Sequence, residues 1–113
     1  MQWDDWLLKL FHVPREILPE IQATIGDFGR VSHPDLPCQD VPISASIVDQ
    51  PAAMVGQGCI SAGQVKATYG TGCFINMNTG SDVIMSTQGL LTMVAWQREA
   101  QVTYGLDGGV FTA

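Results

Sequence analysis

The 113-residue chain is 46% apolar and 14% charged, and it contains 12 glycines and 6 prolines. This composition excludes a disordered tail, and the irregular glycine spacing excludes a collagen-like repeat. The formal charge of −6, from 11 acids against 5 scattered bases, argues against nucleic acid as a partner because few phosphates could be neutralised.

Several targeting and metal-binding signals are missing from the sequence. No apolar run approaches the roughly 20 residues that a membrane-spanning helix needs, and the start of the chain has no basic, cleavable secretory pattern. The three cysteines form no Cys-x-x-Cys pair, and the two histidines lie far apart. We therefore expect reduced thiols in a cytoplasmic protein and no metal site.

An amphipathic helix is predicted over residues 3–11. Its apolar residues recur at i, i+3, i+4, i+7 and i+8 and are Trp3, Trp6, Leu7, Leu10 and Phe11. This spacing is typical of a helix with one apolar face. We expect the aromatic side chains to form a core stripe, with a docking face for a partner as the alternative. Pro14 ends this helix and starts a second short one.

A buried strand and a helix are predicted in the middle of the chain. At most a short strand is expected at 28–31, whereas 41–48 carries β-branched residues alternating with small ones, as in a buried strand. Pro51 fits the first helical position, and Gly56 and Gly58 end the helix within two turns.

Asp49 is the one acid at the carboxyl end of the predicted buried strand, where open α/β sheets gather their ligands. A half-desolvated carboxylate there could accept a proton from a substrate hydroxyl. Alternatively, Asp49 caps the helix, because its oxygens can accept the first amide hydrogens. Spacing alone leaves both interpretations open.

From residue 63 onward the pattern has a period of two. A hairpin over 65–78 with a turn at Gly70-Thr71-Gly72 is predicted. The backbone amides of this turn could hold phosphate oxygens, or the glycines could serve only to supply positive φ. Another turn is expected at 78–81, followed by strands at 90–96 and 101–106. The helical and hairpin-rich halves meet near 56–63, a candidate domain boundary. The sequence at both termini is typical of a segment of a longer protein.

The string Thr-Tyr-Gly-Thr-Gly-Cys-Phe-Ile-Asn-Met-Asn-Thr-Gly at 68–80 resembles the segment after the inter-domain hinge of bacterial glycerol kinases, members of the FGGY carbohydrate kinase family. Val-Pro-Ile-Ser at 41–44 and Asp-Gln-Pro-Ala-Ala at 49–53 resemble the strand and the Asp-Gln-x-Ala-Ala motif of these enzymes. The similarity extends over essentially the whole chain.

The resemblance implies an α/β fold, part of the actin-like, ribonuclease H-like ATPase fold. Residues 1–57 would be the C-terminal part of the FGGY N-terminal domain, and 58–113 the N-terminal part of its C-terminal domain, with the first strands of its sheet. The implied reaction is ATP-dependent phosphorylation of glycerol to sn-glycerol 3-phosphate. At matching positions, Asp49 would be the base that takes the hydroxyl proton, Gln50 would bind glycerol, and Gly70 with Thr71 would contact the nucleotide.

The resemblance further implies Mg²⁺ with the ATP, a cytoplasmic homo-oligomer, and magnesium-linked residues outside this chain. The isolated chain is therefore expected to be inactive. Two alternatives stay open: a non-catalytic truncated module that associates with other chains, and a related FGGY sugar kinase.

Overall fold

A computed structural model describes residues 1–110. The first half holds α1 (Asp5–Leu10), a 3₁₀ helix (Arg15–Ile17), β1 (Arg30–Val31), β2 (Val41–Pro42) and α2 (Asp49–Gly56). The second half is one antiparallel sheet of β3 (Val65–Tyr69), β4 (Cys73–Gly80), β5 (Leu91–Arg98) and β6 (Gln101–Val110). No helix among residues 1–110 is long and apolar enough to span a membrane.

The N-terminal helix is confirmed, but its expected burial is wrong. Asp4 caps α1 by accepting from the Leu7 amide over 2.8 Å. No residue of α1 is buried, and Trp6 and Phe11 are 68% and 69% exposed. A 3₁₀ helix follows Pro14, as predicted. The aromatic side chains do not form a core stripe, because the described chain leaves the apolar face of α1 uncovered.

The prediction of a buried strand at 41–48 is also wrong. β2 has two residues, both exposed, and pairs antiparallel with β1. Beyond β2 the chain stays hydrogen-bonded to one neighbouring segment, with the Ile43 amide donating to the Gly29 carbonyl and the Ser46 amide to the Thr24 carbonyl. Val48 is 69% exposed. Burial of such a strand needs cover on both faces, which the described residues do not supply.

The end of α2 follows the predicted pattern. Gln57 is the C-cap, and Gly58 adopts a φ of +75°. The Cys59 amide donates to the Met54 carbonyl over 2.8 Å, and the Gly58 amide donates to the Val55 carbonyl over 3.0 Å. This is a Schellman motif, which favours glycine at the left-handed position. Pro51 is the third helical residue rather than the first. Because backbone N–H groups in the first turn have no acceptor within the helix, a proline at any of these positions loses no hydrogen bond.

The strand order of the sheet is β3-β4-β6-β5. The β3–β4 hairpin is confirmed, with Tyr69 opposite Cys73, and β5 and β6 extend beyond the predicted strands. The turn predicted at 78–81 lies one residue later, at 79–82: β4 continues to Gly80 through an irregularity between Asn78 and Gly80, and the Asp82 amide donates to the Thr79 carbonyl over 3.3 Å. Residues 111–113, the end of the predicted 58–113 domain, lie outside the described residues.

The surface of the chain is large for its mass. Its accessible surface is 8487 Å², whereas a compact 12.2 kDa protein exposes roughly 6,000 Å². Its radius of gyration is 17.0 Å, against about 13 Å for a compact domain of this length. The buried apolar residues are few: Met54, Cys59, Cys73 and Ala95. Most apolar faces of this chain therefore have no cover within it.

Hydrogen bonds join the two halves, and one pair of them links β5 to the segment before β1. The Thr24 amide donates to the Gln97 carbonyl over 2.8 Å, and the Gln97 amide donates to Thr24 Oγ1 over 2.9 Å. A boundary at 57/58 agrees with the end of α2, and the division of the chain into domains 1–57 and 58–113 stays a prediction.

Candidate functional site

Asp49 is the first residue of α2, and Val48 is the N-cap. Asp49 Oδ1 accepts the Gln50 amide over 2.8 Å. The carboxylate therefore accepts a hydrogen bond from one first-turn amide, as the capping interpretation expected. Asp49 is not the N-cap residue, however, so that part of the interpretation is wrong. Asp49 is exposed, so the expected half-desolvation is absent, because the strand before it is not buried. A carboxylate at a helix N-terminus is electrostatically favoured.

Gln50 is held by a residue that the sequence analysis did not single out. Lys66, the second residue of β3, is 5% exposed. Its Nζ donates to Gln50 Oε1 over 2.5 Å and to Thr68 Oγ1 over 2.6 Å. The first turn of α2 is thereby tied to the sheet, and the Gln50 side chain is fixed by one charged hydrogen bond.

The Lys66 site is part of a polar row that crosses three strands. In the ladder, Lys66 lies opposite Asn76 of β4, and Asn76 lies opposite Asp107 of β6. Opposed residues of neighbouring strands share a face of the sheet. Asn76 is fully buried and its Nδ2 donates to Asp107 Oδ1 over 2.5 Å, while its own Oδ1 has no partner among the described residues.

The sequence did not reveal this polar row, because alternating apolar and polar residues define two faces of a strand without indicating which face is buried. Val65, Tyr69 and Ile75 lie on the other face and are 51%, 83% and 45% exposed. α2 packs on the polar face through Gln50, so polar side chains are buried and apolar ones are exposed. A lysine inside a predicted strand was the available signal, because a lysine that is buried nearly always has a partner.

The loop at residues 70–72 closes the β3–β4 hairpin. The Gly70 amide donates to the Gly72 carbonyl over 2.9 Å, so it is already used inside the loop. Gly70 is exposed and has no positive φ, and a Cβ there would meet only the Gly72 carbonyl oxygen, at 3.9 Å. The interpretation that Gly70 supplies positive φ is therefore wrong. Thr71 is exposed as well.

β3 connects the two parts of the candidate site. Lys66 holds Gln50 near the start of the strand, and Gly70 follows four residues later, directly after the last strand residue. At the rise of an extended strand, this spacing is about 13 Å. Two surface clefts of about 500 and 530 Å³ exist elsewhere, and neither is lined by Asp49, Gln50, Gly70 or Thr71.

A metal-binding cluster is not visible in the described part of the chain. Among residues 1–110, no group of three or more His, Cys, Asp or Glu side chains is arranged to hold a metal ion. Among residues 1–110, the Gly72 carbonyl oxygen at 3.9 Å is the one heavy atom that a Cβ on Gly70 would meet within 4 Å.

Comparison with known proteins identifies relatives over the whole chain. No protein-family model matches it. Glycerol kinases from Dichelobacter nodosus and Methylobacterium nodulans are 48% and 49% identical over 111 residues, which is 98% of this chain and 22% of each relative. The Alkaliphilus oremlandii glycerol kinase is 42% identical over all 113 residues, again 22% of its length.

A solved structure agrees with the sequence comparison. The Plasmodium falciparum glycerol kinase with ADP superposes with a TM-score of 0.87 at 36% identity, over 96% of this chain and 22% of that one. The resemblance noted in the sequence is confirmed, and so is the α/β fold class, a part of the actin-like, ribonuclease H-like ATPase fold. The chain is homologous to a segment of glycerol kinases and spans about 22% of their length.

Proposed function

We propose that this chain supplies the glycerol-side base and part of the nucleotide-phosphate contact of an ATP-dependent glycerol kinase. The observation that carries the proposal is the match to glycerol kinases at 42–49% identity over 98–100% of the chain. All three of these relatives are glycerol kinases, which favours glycerol over the sugars of other FGGY kinases. Because the chain spans 22% of each relative, the activity is proposed for the intact protein, and the isolated chain is expected to be inactive.

Asp49 is proposed to take the proton from a terminal hydroxyl of glycerol. The O–H bond breaks toward an Asp49 carboxylate oxygen as the hydroxyl oxygen bonds to the γ-phosphorus, and the bond from that phosphorus to the bridging oxygen breaks to release ADP. The exposed carboxylate supports this role. Among the described contacts only its Oδ1 accepts a hydrogen bond, which leaves Oδ2 to accept the hydroxyl proton. Phosphoryl transfer depends mainly on positioning and charge stabilisation.

Gln50 is proposed to bind a glycerol hydroxyl, and Gly70 with Thr71 to contact the nucleotide phosphates. The loop supports this because neither backbone strain nor crowding requires glycine at position 70. A missing side chain lets a ligand approach the backbone closely. Magnesium, a cytoplasmic location and a homo-oligomeric intact enzyme are proposed on the family resemblance.

The test uses a chimeric kinase in which this chain replaces the matching 111-residue segment of the Dichelobacter nodosus glycerol kinase. Glycerol-dependent ADP release is expected, and Asp49→Asn is expected to lower kcat by about 10²–10⁴-fold, the usual contribution of a positioned base. Asp82→Asn is the matched control, because Asp82 is exposed and its carboxylate has no hydrogen bond among the described contacts. A chimera with native-like circular dichroism but no turnover would contradict the proposal.

A second candidate function, a non-catalytic module that associates with other chains, is favoured by the uncovered face of α1. Trp6 and Phe11 there are more than two-thirds exposed, and exposed apolar patches mark interaction surfaces. Concentration-dependent association of the 113-residue chain together with a folded but inactive chimera would favour this function over the kinase.

A further inference from the structure

Lys66 is the one buried cation among residues 1–110. No ion pair of the described residues includes it, and its hydrogen bonds go to the neutral oxygens of Gln50 and Thr68. Burying a charge costs free energy, whereas an apolar side chain of similar length, such as methionine, would carry no such cost. Packing alone therefore does not account for a lysine at this position.

The chemistry of lysine determines which way the Gln50 amide faces. An ammonium group has three donors and no acceptor, so the Gln50 atom that contacts Nζ is the carbonyl oxygen. The Nε2 group, with two N–H donors, has no partner among residues 1–110. Rotation about the last torsion of glutamine is broad and roughly two-fold. Lys66 thus selects one of two amide orientations.

We propose that Lys66 is a positioning residue that makes Gln50 a dedicated hydrogen-bond donor and thereby sets the substrate class. This proposal rests on the proposed function, in which Asp49 and Gln50 contact glycerol. Asp49 presents an acceptor and Gln50 presents only donors at neighbouring positions of one helical turn. Such a pair fits a polyol, in which one hydroxyl donates its hydrogen to Asp49 and the oxygen of another hydroxyl accepts from Gln50.

The same arrangement disfavours a substrate that carries an ammonium group in place of a hydroxyl. An ammonium group cannot accept from Gln50 Nε2, and Lys66 prevents the amide from turning its oxygen toward it. The positive charge of Lys66, buried behind Gln50, adds repulsion. Serinol, which is glycerol with an ammonium group in place of the middle hydroxyl, is therefore a suitable probe.

The experiment compares Lys66→Met with the unmodified chimera described above. We expect the KM for glycerol to rise about tenfold, because a misoriented Gln50 amide loses its hydrogen bond to glycerol, and one hydrogen bond is worth about a factor of ten in affinity. The KM for ATP and kcat are expected to change less than about twofold, because binding lost equally from ground and transition states raises KM alone. The ratio of kcat/KM for glycerol to that for serinol is expected to fall about tenfold.

Two further variants separate positioning from a structural role. Adding Lys66→Met to Gln50→Met is expected to change the glycerol KM no further, because Lys66 acts through Gln50. Lys9→Met, which removes a charge from an exposed position on α1, is the matched control and is expected to change nothing. Equal rises in both KM values, or an additive effect in the Gln50→Met background, would overturn the proposal.

NMR spectroscopy tests the role of Lys66 without requiring that the chimera be active. In ¹⁵N-labelled protein, the Lys66 ammonium hydrogens are expected to exchange with water more slowly than those of Lys9. Lys66→Met is expected to shift the Gln50 side-chain amide signals. Exchange at Lys66 as fast as at Lys9, or unmoved Gln50 signals, would overturn the positioning role even if the kinase function had already failed.

Discussion

The same substitution is expected to cost much more stability at one of the two fully buried asparagines of β4 than at the other. Asn78 is fully buried, its Nδ2 donates to the Cys59 carbonyl over 3.1 Å, and its Oδ1 accepts the Gly80 amide over 2.8 Å. Asn78→Leu leaves both backbone groups without these partners. At about 1–3 kcal/mol for each of the two unsatisfied groups, the expected loss of unfolding free energy is about 2–6 kcal/mol.

Asn76 is equally buried, but it already carries a carbonyl oxygen with no partner among the described residues. Asn76→Leu removes this unsatisfied acceptor, a gain of about 1–3 kcal/mol, and loses one charged hydrogen bond to Asp107, a loss of about 1.5–3 kcal/mol. Asp107 is half-buried, so water can replace the lost donor. The net change is therefore expected to be within about 1 kcal/mol of zero.

The assay is urea unfolding of the 113-residue chain, followed by circular dichroism in the β-sheet region. The midpoint of thermal inactivation of the chimera provides the same comparison where the chain alone shows no cooperative transition. Equal losses for Asn76→Leu and Asn78→Leu would refute the reasoning, because burial alone would then set the cost. A larger loss at Asn76 would refute it more strongly.

Three further changes test separate features. Gly58→Ala is expected to lower the free energy of unfolding by about 1–2 kcal/mol in urea, because a φ of +75° is strained for alanine. Backbone strain alone sets this cost, since no atom lies within 4 Å of the added Cβ. An unchanged free energy would contradict the Schellman assignment. Thr71→Ala in the chimera is expected to raise the KM for ATP and leave that for glycerol unchanged; the reverse selectivity would contradict the proposed nucleotide contact. The double substitution Trp6→Ser and Phe11→Ser is expected to reduce self-association of the chain in analytical ultracentrifugation, because both side chains are more than two-thirds exposed. Unchanged association would show that another surface mediates it.

The candidate site was predictable in part. The position of Asp49 and Gln50 at the start of a helix followed from Pro51 and the preceding β-branched residues. The environment of Asp49 was not predictable, because exposure depends on what covers the preceding strand. Lys66 escaped notice because a strand lysine is ordinarily solvated, and only the tertiary structure shows that this lysine is buried and hydrogen-bonded to Gln50 of α2.

Local chemistry, readable from the sequence, determined where elements begin and end. The end of α2 at Gly58 and the hairpin at 70–72 each depend on a few neighbouring residues. Only the tertiary structure decided which face each element buries, because a period of two defines two faces of a strand without ranking them. Lys66 and Asn76 are buried, whereas α1 has no buried residue, since burial is a property of the neighbours that a segment meets.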